Sequence, residues 1–268
     1  MDVQLFKATT LPDAWFQLVY ALIKGDRPRN VYEIDRGSYV GQRRLEFPFV
    51  TVQIDQPGQR PLIPEMPPLL ALPPPVESMD YVESYFLRYL MGTELAENET
   101  YIYGTWLAPG VERVIEQLKD APGNNQAAIC IGGWAPWREP GAPVNDAPAR
   151  VMLAIDTDSF IDPGTGERDP ACLRVVDFRL DQERRLHMVV YFRSWDLWGG
   201  FPANLAGLQL VKEYVGQAIG AEDGKIIASS KGLHIYDHAV EIAAARLGLC
   251  EVASLDDLLG WIERDRAT

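Results

Sequence analysis

Hydrophobic and polar positions along the chain predict a protein in which helices and strands alternate. Apolar residues at helical spacing between Leu11 and Ile23, followed by Gly25, predict an amphipathic helix over about Pro12 to Lys24. A run rich in β-branched and aromatic residues, Phe47 to Ile54, predicts a strand. The same reasoning predicts a helix over Tyr81 to Leu90, a short strand after Tyr101, a helix over Val111 to Lys119, strands over Ala127 to Ile131, Ala171 to Leu180, Arg185 to Arg193 and Lys225 to Tyr236, and helices over Pro202 to Ile219, Ala239 to Leu247 and Leu255 to Asp265. Together these elements place the chain in the mixed α/β class.

Two irregular stretches interrupt this pattern. Segment 56–77 is rich in proline and predicts an extended loop. Segment 132–170 is rich in glycine and proline and predicts a surface insertion, which could hold a short strand at Arg150 to Ile155. The helix that follows the first loop cannot complete a domain without the later strands. The sequence therefore predicts one domain over residues 1–268.

The two strands at the centre of the chain carry the first chemical candidate. They are separated by a short polar run and predict an antiparallel hairpin. A hairpin centred between Gln182 and Glu183 places Cys172 opposite Arg193, with their β-carbons roughly 5 Å apart. A guanidinium beside a thiol favours the thiolate. Cys172 is therefore a candidate nucleophile rather than an inert core residue.

The cysteines also indicate the setting. Three is an odd number in a long chain, and the sequence starts without a charged-then-apolar leader, so we expect a reducing, cytoplasmic environment. Cys130 and Cys250 lie among apolar residues, so we expect both in the core. Their spacing fits no zinc pattern, and we expect no bound metal.

Charge and hydropathy argue against two classes of partner. The formal net charge is −13 and the isoelectric point is about 4.7, which disfavours DNA and RNA. Any nucleic partner should be a single nucleotide held by a local cationic group. No apolar run approaches the roughly 18 residues of a membrane span, so no membrane partner is expected.

Polar residues that follow the hairpin add further candidates. Arg193 and Ser194 together are good phosphate ligands, although such residues often merely end a strand. Asn204 is either a local helix cap or an amide that offers one donor and one acceptor to an O–C–N–H edge such as that of uracil. His234 and Tyr236 stand two apart on a predicted strand and share a face. They are either a half-buried pair or a pair of polar tips suited to sugar hydroxyls.

Four ordered motifs resemble those of the thymidylate synthase family, in its archaeal-type branch. They are Pro170-Ala171-Cys172, Phe192-Arg193-Ser194-Trp195-Asp196, Gly199-Gly200-Phe201-Pro202-Ala203-Asn204 and His234-Ile235-Tyr236. The resemblance covers roughly Tyr101 to the end of the helix that begins at Ala239, about half the chain. It implies a thymidylate synthase-like three-layer fold with a mixed β-sheet and packed helices, and a homodimer in which two chains stack sheet on sheet.

The resemblance also implies site residues. The catalytic residues would be Cys172, Tyr103 and Asn204, the substrate-binding residues Arg193, Ser194, Asp196, Asn204, His234 and Tyr236, and the cofactor-binding residues Asp196 and Gly200. In these roles Cys172 adds to carbon 6 of the pyrimidine, Arg193 and Ser194 bind the phosphate, and Asn204 reads the base. His234 and Tyr236 would hold the deoxyribose 3′-hydroxyl.

The implied reaction is the conversion of dUMP to dTMP. A thiolate added at carbon 6 activates carbon 5 to attack a one-carbon donor. The implied donor is 5,10-methylenetetrahydrofolate, a reduced folate that supplies the carbon and the hydride and leaves as dihydrofolate. A pyrimidine nucleotide hydroxymethylase of the same superfamily is the first alternative, and a non-catalytic nucleotide-binding homologue is the second. Asn204 favours a uracil-type base over cytosine in either enzyme, because a cytosine edge reverses the donor and the acceptor.

Two departures from the family pattern leave roles open. Where usual members place two adjacent arginines that reach the phosphate across the dimer, this chain has Asn124-Asn125-Gln126. Phosphate binding would then depend on Arg193, Ser194 and a loop arginine, either Arg27 or Arg29. The family's glutamate that organises water for proton transfer aligns with Tyr85, with Glu83 two residues away.

Overall fold

The computed structural model describes residues 1–35, 39–65, 73–96, 99, 101–132 and 171–266. Within these ranges the strands are β1 (Gln4–Ala8), β2 (Asn30–Glu33), β3 (Arg43–Phe47), β4 (Val50–Ile54), β5 (Ala128–Cys130), β6 (Leu173–Leu180), β7 (Arg185–Phe192), β8 (Trp195–Asp196), β9 (Glu222–Ser230) and β10 (Leu233–Tyr236). The helices are α1 (Leu11–Ile23), α2 (Met79–Tyr85), α3 (Gly104–Asp120), α4 (Gly200–Ile219), α5 (Asp237–Arg246) and α6 (Leu255–Arg266). A π-helical segment, Phe86–Leu90, continues α2.

Strands and helices form the mixed α/β fold that the sequence predicts. A six-stranded sheet has the order β1-β4-β9-β7-β6-β5. Its β1–β4 and β7–β9 pairs are parallel and its other pairs are antiparallel, so the sheet is mixed. A second, four-stranded sheet has the order β2-β3-β10-β8. The short strands β8 and β10 of this second sheet carry three of the predicted site residues, Asp196, His234 and Tyr236.

One face of the six-stranded sheet is covered by helices. Phe6, Val52, Ala228 and Val190 form a row across four strands, and all four are buried. Helices α1 and α4 pack on the strands of this sheet. The periodicity of α1 explains its position, because its apolar stripe needs a sheet face to bury. The indole N–H of Trp15 also donates to the Leu197 carbonyl at 2.9 Å, which fixes α1 to the segment between β8 and α4.

Three predicted elements are wrong in detail. The strand predicted over Phe47 to Ile54 is two strands, because Pro48 lacks the N–H that a ladder needs. The strand predicted over Lys225 to Tyr236 divides at Lys231 and Gly232, and its two halves belong to different sheets. The short strand predicted after Tyr101 is absent from this part of the described chain, where helix α3 already begins at Gly104.

Several predictions fall outside the described residues. They include residues 133–170 of the predicted insertion, with its strand at Arg150 to Ile155, and residues 66–72 of the proline-rich loop. A single domain over residues 1–268 therefore stays a prediction. In the described ranges no helix has the length and apolar character to cross a membrane.

Candidate active site

The hairpin formed by β6 and β7 is confirmed, but its turn lies later than predicted. Arg184 adopts a left-handed φ of 59°, and β6 residues from Val175 onward pair one residue further along β7 than predicted. A bulge between Leu173 and Val175 absorbs this shift. Leu173 consequently pairs with Phe192, the register predicted for this end of the hairpin.

Cys172 lies opposite Arg193 at the open end of the hairpin. The Arg193 backbone N–H donates to the Cys172 carbonyl at 2.8 Å, and Arg193 Nε donates to the Ala171 carbonyl at 3.3 Å. The guanidinium is therefore held beside the backbone of the cysteine, whose side chain is half-buried. A positive charge held close to a thiol favours the thiolate, which is the nucleophilic form.

Two tyrosines hold the backbone on either side of the Cys172 side chain. The Tyr101 hydroxyl accepts a hydrogen bond from the Cys172 N–H at 3.4 Å. The Tyr103 hydroxyl accepts from the Leu173 N–H at 3.3 Å. Burial, with smaller contributions from neighbouring acidic groups that include the Cys172 thiol, raises the pKa of Tyr103 well above its ordinary value. Tyr103 therefore remains a neutral phenol that can still donate its own proton in a hydrogen bond.

These tyrosines belong to a larger tyrosine cluster, defined as Tyr85, Tyr89, Tyr101 and Tyr103. The ring of Tyr89 meets Tyr103 edge to face, with centroids 5.2 Å apart, and stacks on Tyr85 at 5.3 Å. Edge-to-face and offset-stacked pairs are the favourable aromatic geometries. The cluster extends from the start of β6, where Cys172 lies, to the end of α2, where Tyr85 lies.

Asn204 meets the far end of this cluster. Its Nδ2 donates to the Tyr85 hydroxyl at 2.8 Å, and its Oδ1 accepts from the Trp195 indole N–H at 3.0 Å. Asn204 is the fifth residue of α4 and does not cap the helix. The cap alternative left open by the sequence is therefore excluded, and the amide is held by two side chains from other elements.

Asp196 supports the start of α4. Its carboxylate accepts from the backbone N–H groups of Trp198, Gly199 and Gly200, at 3.0, 3.1 and 2.9 Å respectively. These are donors that a helix N-terminus leaves without intrahelical partners, and a carboxylate there also stabilises the helix dipole. A carboxylate offers about four acceptor positions, so one remains for a ligand. Asp196 and Gly200, both predicted to meet the folate, thus contact each other.

His234 and Tyr236 share one face of β10, as the sequence predicts. Their rings meet edge to face with centroids 4.5 Å apart. His234 is 1% exposed, and its Nδ1 lies 2.8 Å from the Gly232 carbonyl, which can only accept. Nδ1 therefore carries the proton, and Nε2 is a bare acceptor. Burial lowers the pKa of His234 to about 4, against smaller opposing effects from the Gly232 carbonyl and Asp196.

Nε2 of His234 has no hydrogen-bond partner among the described residues. A buried polar atom without a partner is costly, so a ligand hydroxyl that donated to it would bind favourably. Burial first, and then the charges of Asp196 and the Cys172 thiol, raise the pKa of the other predicted sugar ligand, Tyr236, so its phenol lies within electrostatic range of both groups. The structure therefore brings Cys172, Asp196, His234 and Tyr236 into one site.

The structure places only two of the predicted phosphate ligands next to each other. Arg193 and Ser194 lie next to each other at the end of β7, and both are half-buried. Arg29 instead donates to the Ile23 carbonyl at 3.2 Å, at the end of α1, and the Arg27 guanidinium lies over the Phe6 ring, 4.3 Å from its centroid. Asn125, one of the residues in the place of the family's arginine pair, accepts a hydrogen bond from the guanidinium of an exposed β6 residue, Arg179.

The other two cysteines are not in the core, so that prediction is wrong. Cys130 ends the short edge strand β5, and Cys250 follows α5; both side chains are exposed. Apolar neighbours in sequence suggested burial, but on an edge strand alternate residues face outward. Cys172 is the one predicted nucleophile among the three, and it is more enclosed than the other two.

Two residues of the site escaped the sequence reasoning. Trp195 lies inside one of the four family-like motifs but has no predicted role, and Tyr85 stands where the family pattern predicts a glutamate. The signal for Tyr85 lies in the spacing of tyrosines at 81, 85 and 89 along one helical face. Glu83 is exposed, so Tyr85 and not Glu83 reaches Asn204.

A cleft of about 810 Å³ adjoins the site through Tyr85 and Tyr89, and it is also lined by Arg88 and Glu94. This volume lies within the range of small-molecule and cofactor sites. In the described part of the chain no cluster of three or more histidine, cysteine, aspartate or glutamate residues is arranged to hold a metal ion.

Comparisons with known proteins point to one family. Residues 164–250 match the family profile named thymidylate synthase. A "putative thymidylate synthase" of Methanosarcina mazei is 27% identical over 241 residues, which cover 88% of this chain and 90% of that protein. A "putative thymidylate synthase" of Methanothermobacter marburgensis is 29% identical over 165 residues, 60% of each chain. The deoxyuridylate hydroxymethyltransferase of Pseudomonas phage M6 is 32% identical over 96 residues, 35% of this chain and 27% of that protein.

The matched segment spans the hairpin, the start of α4 and strand β10, which supply Cys172, Asn204 and His234. The geometry of these residues and the comparisons agree, and over this segment the chain is similar to the thymidylate synthase family.

Proposed function

We propose that this protein is a cytoplasmic thymidylate synthase, which transfers and reduces a one-carbon unit from 5,10-methylenetetrahydrofolate to carbon 5 of dUMP. The observation that carries the proposal is the placement of Cys172 and Asn204 at the two ends of one tyrosine cluster. Tyr103 holds the backbone beside the cysteine, and Tyr85 holds the amide. The same tyrosine cluster would thereby hold both the proposed nucleophile, Cys172, and the amide proposed to bind the base edge, Asn204.

Cys172 supplies the covalent step. Its thiolate adds to carbon 6 of the pyrimidine, which forms a C–S bond and leaves an electron pair on carbon 5 in conjugation with oxygen 4. Carbon 5 can then attack the one-carbon donor, which an uncharged pyrimidine does too weakly. Loss of the proton on carbon 5 and release of the folate nitrogen from the transferred carbon would leave an exocyclic methylene. Hydride addition to that methylene and cleavage of the C–S bond would then restore the ring and free the thiolate.

Asn204 stabilises the charge that this step creates. One Nδ2 proton is donated to Tyr85 and the other is available to oxygen 4 of a uracil, where negative charge accumulates. A fixed donor aimed at developing charge is an effective catalytic group. Asn204 would therefore recognise the base and also lower the barrier of the addition.

The folate would bind beside the base. When bound, 5,10-methylenetetrahydrofolate would supply the carbon and, by resemblance to the family, the hydride. The residues present fit such a group, because Asp196 retains an acceptor position and Gly200 carries no side chain, whose β-carbon would lie 3.5 Å from Asp196 Oδ2. The cleft next to Tyr85 and Tyr89 adds aromatic faces on which a flat ring can stack.

The sugar and the phosphate would occupy the other side. His234 Nε2 would accept the 3′-hydroxyl proton, and Tyr236 would contribute its hydroxyl. Arg193 and Ser194 would bind the phosphate through charge-assisted hydrogen bonds. A deoxynucleoside 5′-monophosphate has both the 3′-hydroxyl and the phosphate that these residues would bind.

Product analysis tests the proposal. Purified protein is incubated with dUMP and 5,10-methylenetetrahydrofolate, dihydrofolate is followed by absorbance, and the nucleotide is weighed by mass spectrometry. We expect dTMP and dihydrofolate in equal amounts. A folded protein that binds dUMP but leaves it chemically unchanged would leave only a nucleotide-binding homologue.

A hydroxymethylase is the second candidate, and the similarity to the phage deoxyuridylate hydroxymethyltransferase favours it. In that reaction water, not hydride, meets the exocyclic methylene, so tetrahydrofolate is released without oxidation. The same assay separates the two: 5-hydroxymethyl-dUMP with no rise in dihydrofolate would replace the first candidate by the second.

We also propose a homodimer formed by the face of the six-stranded sheet that no helix of the described residues covers. The row Leu5, Thr51, Ser229 and Tyr191 lies on the face opposite the helices, and Leu5 is 65% exposed. Exposed apolar side chains on one sheet face suit an interface between copies, and Val189 on this face is also 40% exposed. Sedimentation at micromolar concentration should show twice the chain mass of 30.0 kDa, and a monomer would contradict the dimer.

A further inference from the structure

We propose that Trp195 determines the base specificity of the site by fixing the orientation of the Asn204 amide, while Tyr85 fixes the distance of that amide. The inference rests on the proposed function, because it concerns how that site distinguishes a uracil-type edge from a cytosine-type edge. Both residues act through Asn204 and are therefore positioning residues.

Trp195 defines which end of the amide is the oxygen. An indole N–H can only donate, so the atom 3.0 Å from it must be Oδ1. Trp195 is 2% exposed, and its ring is stacked on Phe192, with centroids 4.0 Å apart, and lies 4.6 Å from the Phe201 ring. A ring held between two others cannot rotate away, so the donor is fixed in place.

Tyr85 supports the same orientation without dictating it. Its hydroxyl accepts from Nδ2 of Asn204, yet a hydroxyl can equally donate to an oxygen. The Tyr85 ring approaches α4 because position 207 is glycine, where a β-carbon would lie 2.8 Å from Tyr85 Cδ1. Tyr85 thus fixes the distance of the amide, and Trp195 fixes its polarity.

The fixed polarity leaves a specific pattern for a ligand. After the hydrogen bonds to Trp195 and Tyr85 are made, one lone pair of Oδ1 and one N–H of Nδ2 remain for a ligand. This pattern matches the N3–H donor and O4 acceptor of uracil. Cytosine, in the same pose, needs the reversed amide, which would set the Nδ2 protons against the Trp195 N–H. Removing the indole donor should therefore relax the discrimination, whereas removing the Tyr85 hydroxyl should not.

The test compares dissociation constants for dUMP and dCMP, measured by calorimetry on the full chain. In Trp195→Phe the preference for dUMP over dCMP should fall by about tenfold, the worth of one mispaired donor. In Tyr85→Phe both nucleotides should weaken and the ratio should stay within about threefold of the wild-type value, since Trp195 still fixes the amide. Trp198→Phe and Tyr81→Phe make the same chemical changes away from Asn204 and should keep the wild-type ratio.

A second measurement does not depend on the Trp195 variant folding. In the ¹⁵N-labelled chain, Asn204→Ala should move the Trp195 indole N–H resonance and leave the Trp15 indole in place, because Trp15 donates to backbone carbonyls. An unmoved Trp195 resonance, or an unchanged dUMP to dCMP ratio in folded Trp195→Phe, would overturn this inference while leaving the proposed function intact. A wild-type chain that binds neither nucleotide would overturn both.

Discussion

The two ends of the site are built in opposite ways. At the base end, the Asn204 amide already has partners for its oxygen and its nitrogen, Trp195 and Tyr85. At the sugar end, Nε2 of His234 is buried with no partner among the described residues. A group whose two polar atoms are each held by a protein partner can impose specificity, because it does not rearrange when a ligand arrives. An unpaired buried group favours affinity, since a ligand relieves its cost.

The largest expected effect is at the base end. Asn204→Asp retains an acceptor for the Trp195 N–H, and the Tyr85 hydroxyl can turn to donate, so the variant should fold. The carboxylate cannot donate to uracil oxygen 4 but can accept from a cytosine amine. Loss of one contact and gain of another, each about 10- to 100-fold, should change the dUMP to dCMP affinity ratio by about 1,000-fold. Equal binding of dUMP by both forms would remove Asn204 from the site.

The difference between the two ends also shows what the sequence could predict. Cys172 beside Arg193, and His234 with Tyr236 on one face, follow from strand periodicity, which needs only nearby residues. The Asn204–Tyr85 bond joins residues 119 positions apart, so no local pattern contains it. The hairpin register illustrates the same limit. The predicted and observed pairings agree at the open end because a bulge compensates for the later turn, and no residue type in the sequence predicts that bulge.

Fold prediction failed where a local signal was weak or misleading. Strands β9 and β10 were merged because Lys231 and Gly232 make a short break in a long apolar run, and only tertiary pairing separates the two sheets. The apolar sequence neighbours of Cys130 and Cys250 predict burial, yet both side chains are exposed because burial depends on which elements cover a residue. The mixed α/β class was predictable because helical and strand periodicities are both strong in this chain.

His234, at the sugar end, should contribute to the pH dependence of the free energy of unfolding. The pKa of His234 is lowered by burial from 6.5 to about 4, so between these values the unfolded chain binds a proton that the folded chain does not. The contribution of His234 to the free energy of unfolding is therefore full above pH 6.5. It decreases as the pH falls toward 4, by up to about 3 kcal/mol. Urea unfolding of wild type and His234→Asn should diverge as the pH rises from 4 to 6.5. The exposed His238→Asn should follow wild type, and parallel curves for His234→Asn would contradict the assignment.

A smaller effect should distinguish ligands at the sugar end. His234→Ala removes the acceptor for the 3′-hydroxyl and should weaken dUMP by about tenfold. The same change should leave 2′,3′-dideoxyuridine monophosphate, which lacks that hydroxyl, nearly unaffected. Calorimetry with both nucleotides on both proteins isolates the contact. An equal loss for the two nucleotides would mean that His234 acts through the fold and not through the hydroxyl.

The smallest expected effect is at the base end again. Gly207→Ala would ordinarily favour a helix interior, but its β-carbon would meet the Tyr85 ring at 2.8 Å and displace it from Asn204. We expect dUMP affinity to fall by about threefold, with the dUMP to dCMP ratio kept by Trp195. Gly216→Ala, later in the same helix and with no atom closer than 3.5 Å to its β-carbon, is the matched control. Stronger dUMP binding by Gly207→Ala would show that Tyr85 does not position the amide.

The central claim is that Cys172 attacks the pyrimidine, and covalent trapping tests it most directly. The chain is incubated with 5-fluoro-dUMP and 5,10-methylenetetrahydrofolate, digested and analysed by mass spectrometry. Fluorine at carbon 5 cannot leave as a proton does, so the reaction should stall with nucleotide and folate attached to the peptide that contains Cys172. Cys130→Ala, which alters an exposed cysteine, should form the same adduct, and Cys172→Ala should form none while binding dUMP within about tenfold of wild type. An adduct on Cys172→Ala, or no adduct on a folded wild-type chain that binds dUMP, would contradict the claim.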